Sequence, residues 1–288
     1  MPSIPKIILA ARRRLRRIMR PGRAGPWTDG SMHPESCRYD TFARAAVPNI
    51  REVGPLVRAH APSYFTYASH SAMFVGFTPG DASRTESIVN PKYGKLVRLD
   101  GGGTKSRGND RFLLRGRNIV DGFNRAGHVT AGTGAVRWFD DSKPTSQHLT
   151  RDFRHFLYAG NTWSLARQVA WLASVVGGER RPVFAFLNVG ETHTPYWHEG
   201  AAWSPKDEPC KPFSPANDAE KSRERQLACL EFADRTLAPV LRAFANANIM
   251  VCGDHGDAWG EDGLWEHGFH HPTVLEVPLL FRTSPRPA

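Results

Sequence analysis

At 288 residues, with 40% hydrophobic and 23% charged side chains, the chain can bury a sizeable core as one large domain. No apolar run approaches the roughly 20 residues a spanning helix needs, and four scattered cysteines make neither a disulfide framework nor a CxxC metal pair. The net charge of +10 is uneven, with a large share in ARRRLRRIMRPGR, residues 11–23.

Within residues 6–23, Ile7, Ala11, Leu15 and Ile18 would share one face of a helix. A basic amphipathic helix can lie on an anionic membrane; a solvated leader is the plain alternative. The basic cluster follows its apolar patch, which is too short for a signal peptide. Nothing in the chain indicates specific nucleic-acid binding. Sparse cysteine usage points to reduced thiols and a cytoplasmic setting, with membrane association left open through the arm. Cys229 and Cys252 sit in apolar patterns that favour burial.

The glycine-rich stretch LVRLDGGGTKSRGNDR matches neither GxGxxG nor a P-loop and reads as a surface loop. Further on, WSLARQVAWLASVV has helical spacing at Leu165, Val169 and Leu172. RPVFAFLNVG (181–190) is a continuous apolar run, the pattern of a strand buried on both faces. A long amphipathic helix follows, with Leu227, Leu230, Ala233, Leu237 and Leu241 on one side and Pro239 set to kink it. It leads into a second buried strand, NIMVC, and VPLLFR near the end predicts a third. This alternation implies an α/β/α sandwich around a mostly parallel sheet. Ligands gather at the carboxyl ends of such strands, where Glu191 to His193 and Asp254 to His255 fall.

A carboxylate and an imidazole at that edge, Asp254 and His255, suit a borderline cation such as Zn²⁺. The longer run DHGDAWGEDGLWEHG (254–268) resembles a signature of the alkaline phosphatase superfamily. The likeness is to its sulfatase-like branch, and there to phosphoethanolamine and lipoteichoic-acid-type transferases. FTYASHSAMFVGFTP resembles that branch's nucleophile segment, with Thr66 at the nucleophile position. ESCRYDTFARAAVPNI resembles its first metal-binding turn, which starts at Glu35. FAFLNVGETHTPYW resembles the strand that ends in a substrate-contacting H-x-P-Y, placing His193. These segments run from about Glu35 to Phe281.

The resemblance implies an alkaline phosphatase-like fold over 35–288 after a basic arm over 1–34, without the C-terminal subdomain of larger sulfatases. It implies a divalent cation, Zn²⁺ first with Mn²⁺ or Ca²⁺ as alternatives, held by Glu35, Thr66, Asp254 and His255. Thr66, His193 and His267 would be the catalytic set, with His193 and His267 at the transferred group or a second metal. A threonine hydroxyl needs such a cation to act as a nucleophile, and the start of the following helix favours a phosphate-like anion. The expected reaction is transfer or hydrolysis at a phosphate ester, small-molecule or lipid and glycan in kind, through a covalent threonine intermediate.

Two departures keep alternatives open. Sulfatases require a cysteine or serine at the nucleophile position, which disfavours a sulfuric ester hydrolase. The residues before Glu35, GRAGPWTDGSMHP, predict no apolar strand, so either PKIILAA supplies one or it is missing. A missing strand would leave a catalytically weak anion-binding relative with an incomplete metal site. His198, His270 and His271 are expected at the surface and Glu261 and Asp262 as loop acids, while Asp234 is expected to brace the fold.

Overall fold

The computed structural model describes residues 27–34, 36–76 and 118–283. The basic arm at 6–23, Glu35, and the loops at 81–90 and 101–110 lie outside them. The strands are β1 (Trp27–Pro34), β2 (Val57–His60), β3 (Val129–Gly134), β4 (His155–Tyr158), β5 (Val183–Val189), β6 (Asn248–Cys252), β7 (Ala258–Trp259), β8 (Trp265–Glu266) and β9 (Glu276–Arg282). The helices are α1 (Tyr39–Arg44), α2 (Pro48–Arg51), α3 (Thr66–Val75), α4 (Ile119–Arg125), α5 (Gln147–Thr150), α6 (Leu165–Val176), α7 (Ala219–Ala243) and α8 (Pro272–Leu275).

Among the described residues, seven strands form one sheet in the order β2-β9-β6-β1-β5-β3-β4. From β6 to β4 the strands run parallel, while β9 and β2 add antiparallel at one edge. β7 and β8 make a separate two-stranded ribbon. Helices cover the sheet on both sides, giving the three-layer α/β/α sandwich.

The two layers differ in chemistry because successive strand residues point to opposite faces. Every residue of β5 is buried. Its Val183, Ala185, Leu187 and Val189 enter an aliphatic core with Leu165, Val169, Leu172 and Val176 of α6 and Leu230, Leu237 and Leu241 of α7. Phe184 and Phe186 point the other way, into an aromatic core with Tyr67 and Phe74 of α3, Phe139 and Phe153. Asp218 caps α7, accepting from the Lys221 N–H at 3.0 Å. The helix is not broken at Pro239 and continues to Ala243. Packing of Leu237, Val240 and Leu241 in the aliphatic core holds it together there.

β1 corrects the expectation of a missing strand. WTDGSMHP is the middle strand of the sheet, paired in parallel with β5 on one side and β6 on the other. Its pattern is not apolar because part of its packing comes from elsewhere in the chain. Met32 is buried in the aliphatic core, while a Cβ on Gly30 would meet the Phe244 ring at 3.4 Å. Phe244 thus fills the space where a strand side chain would ordinarily stand. The sheet therefore begins inside the stretch assigned to the arm, and PKIILAA lies outside the described residues.

Candidate active site

Parallel β1, β5 and β6 end on the same edge of the sheet, at Pro34, Val189 and Cys252. The chain that leaves each strand end carries polar residues into one buried region. Thr66 reaches that region from the first position of α3 and is 1% exposed. Phe65, in extended conformation, occupies the N-cap without a side-chain bond, so Thr66 is not a capping residue.

The Thr66 hydroxyl lies 3.3 Å from Nε2 of His255. His255 Nδ1 lies 3.0 Å from the Gly256 carbonyl. A carbonyl only accepts, so Nδ1 carries the proton and Nε2 presents its lone pair towards Thr66. Asp254 Oδ1 accepts from the backbone N–H groups of Ser36, at 3.1 Å, and His255, at 2.9 Å. Its Oδ2 stands 3.6 Å from His255 Nε2 and 3.7 Å from His70 Nδ1. Asp254, His255 and His70 are fully buried. Burial pushes the His255 imidazole well below its ordinary pKa, and the neighbouring His267 pushes it further. The neutral form that results is the one that ligates metals.

A second set overlaps the first. His255, Asp257 and His267 offer metal-ligating atoms that all lie within 4.8 Å of one another. His267 Nδ1 sits 2.7 Å from Asp257 Oδ1. The His267 ring is 4.2 Å from that of His255 and 5.4 Å from that of His193. His193 itself donates from Nδ1 to the Thr194 carbonyl at 2.8 Å.

The fold thus brings together Thr66, Asp254, His255, His193 and His267. Glu35 lies outside the described residues; its neighbour Ser36 is the one bonded to Asp254. Asp257 and His70 join this cluster without having been singled out by the sequence, since nothing in its helical pattern marks His70. Glu261 is more than a loop acid, since it accepts from the buried Arg38 guanidinium at 2.7 Å. His198, His270 and His271 are half-buried. His198 stacks on Phe232 at 4.6 Å and His271 caps α8. Asp234 braces the start of α2, accepting from Asn49 at 2.6 Å and from the Ile50 N–H at 2.8 Å.

Solved structures share this fold at low sequence identity, among them one from Vibrio parahaemolyticus described as a protein in the alkaline phosphatase superfamily. One is the soluble domain of lipooligosaccharide phosphoethanolamine transferase A from Neisseria meningitidis, 14% identical, covering 92% of this chain and 78% of that one at a TM-score of 0.57. Another is the C-terminal periplasmic domain of EcEptC from Escherichia coli in complex with Zn, 13% identical over 91% and 74% of the two chains, TM-score 0.61. A third is the phosphonate monoester hydrolase of Agrobacterium radiobacter, 14% identical over 89% and 68%, TM-score 0.55. No protein-family model and no curated protein matches the sequence. Among the described residues, no helix is long and apolar enough to cross a membrane.

Proposed function

We propose that this chain is a metal-dependent enzyme that transfers or hydrolyses a phosphate-ester group through Thr66. The observation that carries the reading is the buried Thr66 hydroxyl at the start of α3, 3.3 Å from a histidine nitrogen whose tautomer turns its lone pair to it. Asp254, His255 and Thr66 bring oxygen and nitrogen donors into one buried cluster, a donor set that suits Zn²⁺. Bound there, a divalent ion supplies the Lewis acidity that turns a threonine hydroxyl into a competent nucleophile at neutral pH. Glu35, from its place in the sequence, is the proposed fourth member of the set.

The Thr66 oxygen forms the new bond to phosphorus while the bond to the leaving alcohol breaks, leaving a phosphothreonine-type ester. Water or an acceptor alcohol then takes the group and restores the hydroxyl. His193 and His267 would contact the transferred group or a second cation. The start of α3 favours the anion, since its first N–H groups point out of the helix.

The substrate class is a phosphate ester of a small molecule, lipid or glycan, and neighbours named as lipooligosaccharide phosphoethanolamine transferases support its lipid form. Neighbours named as periplasmic domains speak against the cytoplasmic setting expected from the cysteines. All four cysteines are buried outside any disulfide, and a buried thiol reports little about its compartment. Membrane association through residues 6–23 fits the reading.

The test is Thr66→Ala against the parent chain on an aryl phosphodiester and an aryl sulfate, with Zn²⁺ or Mn²⁺ present. Turnover of the phosphodiester is expected to fall at least about 10³-fold, as for other nucleophile deletions, with the circular dichroism spectrum unchanged. Equal turnover by the variant ends the proposal. Faster reaction with the sulfate would move it to sulfuric ester hydrolysis.

A further inference from the structure

We propose that Trp259, Tyr196 and Asp257 form a positioning chain that sets the tautomer and orientation of His267, so that Asp257 serves as an orienting carboxylate and not as a metal ligand. The proposal deepens the reading of this site as phosphoryl-transferring and rests on it for its activity test.

The direction of the chain follows from its first member. An indole N–H can only donate. Trp259 Nε1 lies 2.7 Å from the Tyr196 hydroxyl oxygen, which must therefore accept. The hydroxyl's own hydrogen goes on to Asp257 Oδ2 at 2.8 Å. Asp257 is thus an acceptor at that oxygen, and its Oδ1 takes the Nδ1–H of His267 at 2.7 Å. With Nδ1 committed, a bond from His267 to a cation or a phosphoryl oxygen runs through Nε2. Both carboxylate oxygens already hold short bonds, which a metal contact would have to share or break. Carboxylates behind histidines orient the ring and raise its basicity in just this way.

The surroundings leave the chain little freedom. Tyr196 and Asp257 are 0% exposed and Trp259 is 3% exposed. Tyr196 and Glu266, the residue before His267, both hold left-handed backbone, at φ 56 and 66. Non-glycine residues adopt that conformation rarely, and usually where the surroundings enforce it. Arg38 stacks its guanidinium over the Trp259 ring at 4.4 Å and donates to the Asp257 carbonyl at 3.1 Å. Glu261 accepts from Arg38 with one oxygen and from the Trp259 backbone N–H with the other. Residues of SCRYD, HTPY and GDAWGEDG that have no part in binding the cation or in attack are joined here into one support for His267.

The experiment compares Asp257→Asn, Tyr196→Phe, the double variant and Asp254→Asn as full chains. Metal content by atomic emission, kcat and KM on an aryl phosphodiester, and ¹⁵N chemical shifts of the histidine rings are measured. Asp257→Asn is expected to keep parental metal content while kcat falls roughly 10- to 100-fold and KM stays within about threefold, the pattern of a lost outer partner. Asp254→Asn is expected to lose metal. Tyr196→Phe should lower kcat roughly three- to tenfold alone and less than about twofold when Asp257 is already Asn, since it acts through that carboxylate. The parent His267 ring should carry its proton on Nδ1, and Asp257→Asn should shift it towards a tautomer mixture.

Loss of metal in Asp257→Asn equal to that in Asp254→Asn would make Asp257 a ligand and overturn the proposal. So would equal effects of Tyr196→Phe in both backgrounds, or an Nε2–H tautomer in the parent. Should Asp257→Asn fail to fold, Tyr196→Phe and Trp259→Phe carry the same ring-nitrogen measurement. A parent chain inert towards every phosphate ester would remove the proposed function alone, and the metal content and ring tautomer would still decide the chain.

Discussion

The two faces of the sheet are both well filled, yet they do different work. On one, Leu165, Val169, Leu172 and Val176 of α6 meet Val183, Ala185 and Leu187 of β5 and the long helix α7. These side chains contribute burial and little direction. On the other, Phe74, Phe139 and Phe186 set their ring edges and faces around His70, at centroid distances of 6.2, 5.1 and 5.8 Å. His70 in turn donates from Nδ1 to the Thr66 carbonyl at 2.9 Å and approaches Asp254 at 3.7 Å. Aromatic pairs prefer particular angles, so this face passes its geometry on to the start of α3. Burial is shared between the faces, but Thr66 is placed by one of them.

The strongest way to break that asymmetry is to remove the proposed cation where the aromatic face meets the strand ends. Asp254 and His255 are fully buried, and a divalent ion bound only to the folded chain stabilises it by mass action. Chelation is expected to lower the melting temperature and Zn²⁺ or Mn²⁺ to restore it, a difference of roughly 4 kcal/mol at a thousandfold excess over Kd. The response should be nearly absent in Asp254→Ala and His255→Ala and weaker, yet present, in His267→Ala. Calorimetry that shows the parent chain melting alike with and without chelator would remove the metal site.

Acid gives a second, smaller probe of the same face. Burial lowers His70 from 6.5 to about 4, and its bond to the Thr66 carbonyl offsets only part of this. The unfolded chain therefore binds a proton that the folded chain refuses between those two values. Stability from this group is complete above about pH 6.5, falls as the pH drops, and levels off below about 4, for a total near 3 kcal/mol. Urea melts across that range should show a shallower slope in His70→Gln than in the parent. Parallel slopes would mean that His70 titrates normally.

Much of the fold could be read from residue patterns because its strands and helices carry their own apolar faces. β5 is a continuous run and α6 repeats its leucines and valines at helical spacing, so both were plain. β1 was not, because Phe244 at the C-terminal end of α7 packs over Gly30 and the strand needs no large side chain there. Asp254 and His255 were legible as charges placed directly after a buried strand. The chain behind His267 was hidden because its bonds join residues some 60 positions apart, Tyr196 to Asp257 and Tyr196 to Trp259. Periodicity reports which side of an element is buried, and no periodicity reports which loop it will meet.

Neighbouring residues of β5 offer the finest test of the two faces, because Phe186 and Leu187 are both fully buried and point in opposite directions. Phe186→Leu and Leu187→Val each remove volume from a closed core and should each cost about 1 kcal/mol, visible as similar shifts in urea midpoint. Their effects on turnover should part. Phe186 stands edge-on to His70 at 5.8 Å and packs on Phe74 of α3 at 5.1 Å, so its loss lets α3 and Thr66 drift. Displacing the proposed nucleophile is expected to lower kcat roughly tenfold, since attack geometry tolerates little displacement. Leu187 packs in the aliphatic core, so Leu187→Val should keep the parental kcat. Equal turnover in the two variants, at equal stability loss, would show that the aromatic face fills space as the aliphatic one does and that the placement of Thr66 is set elsewhere.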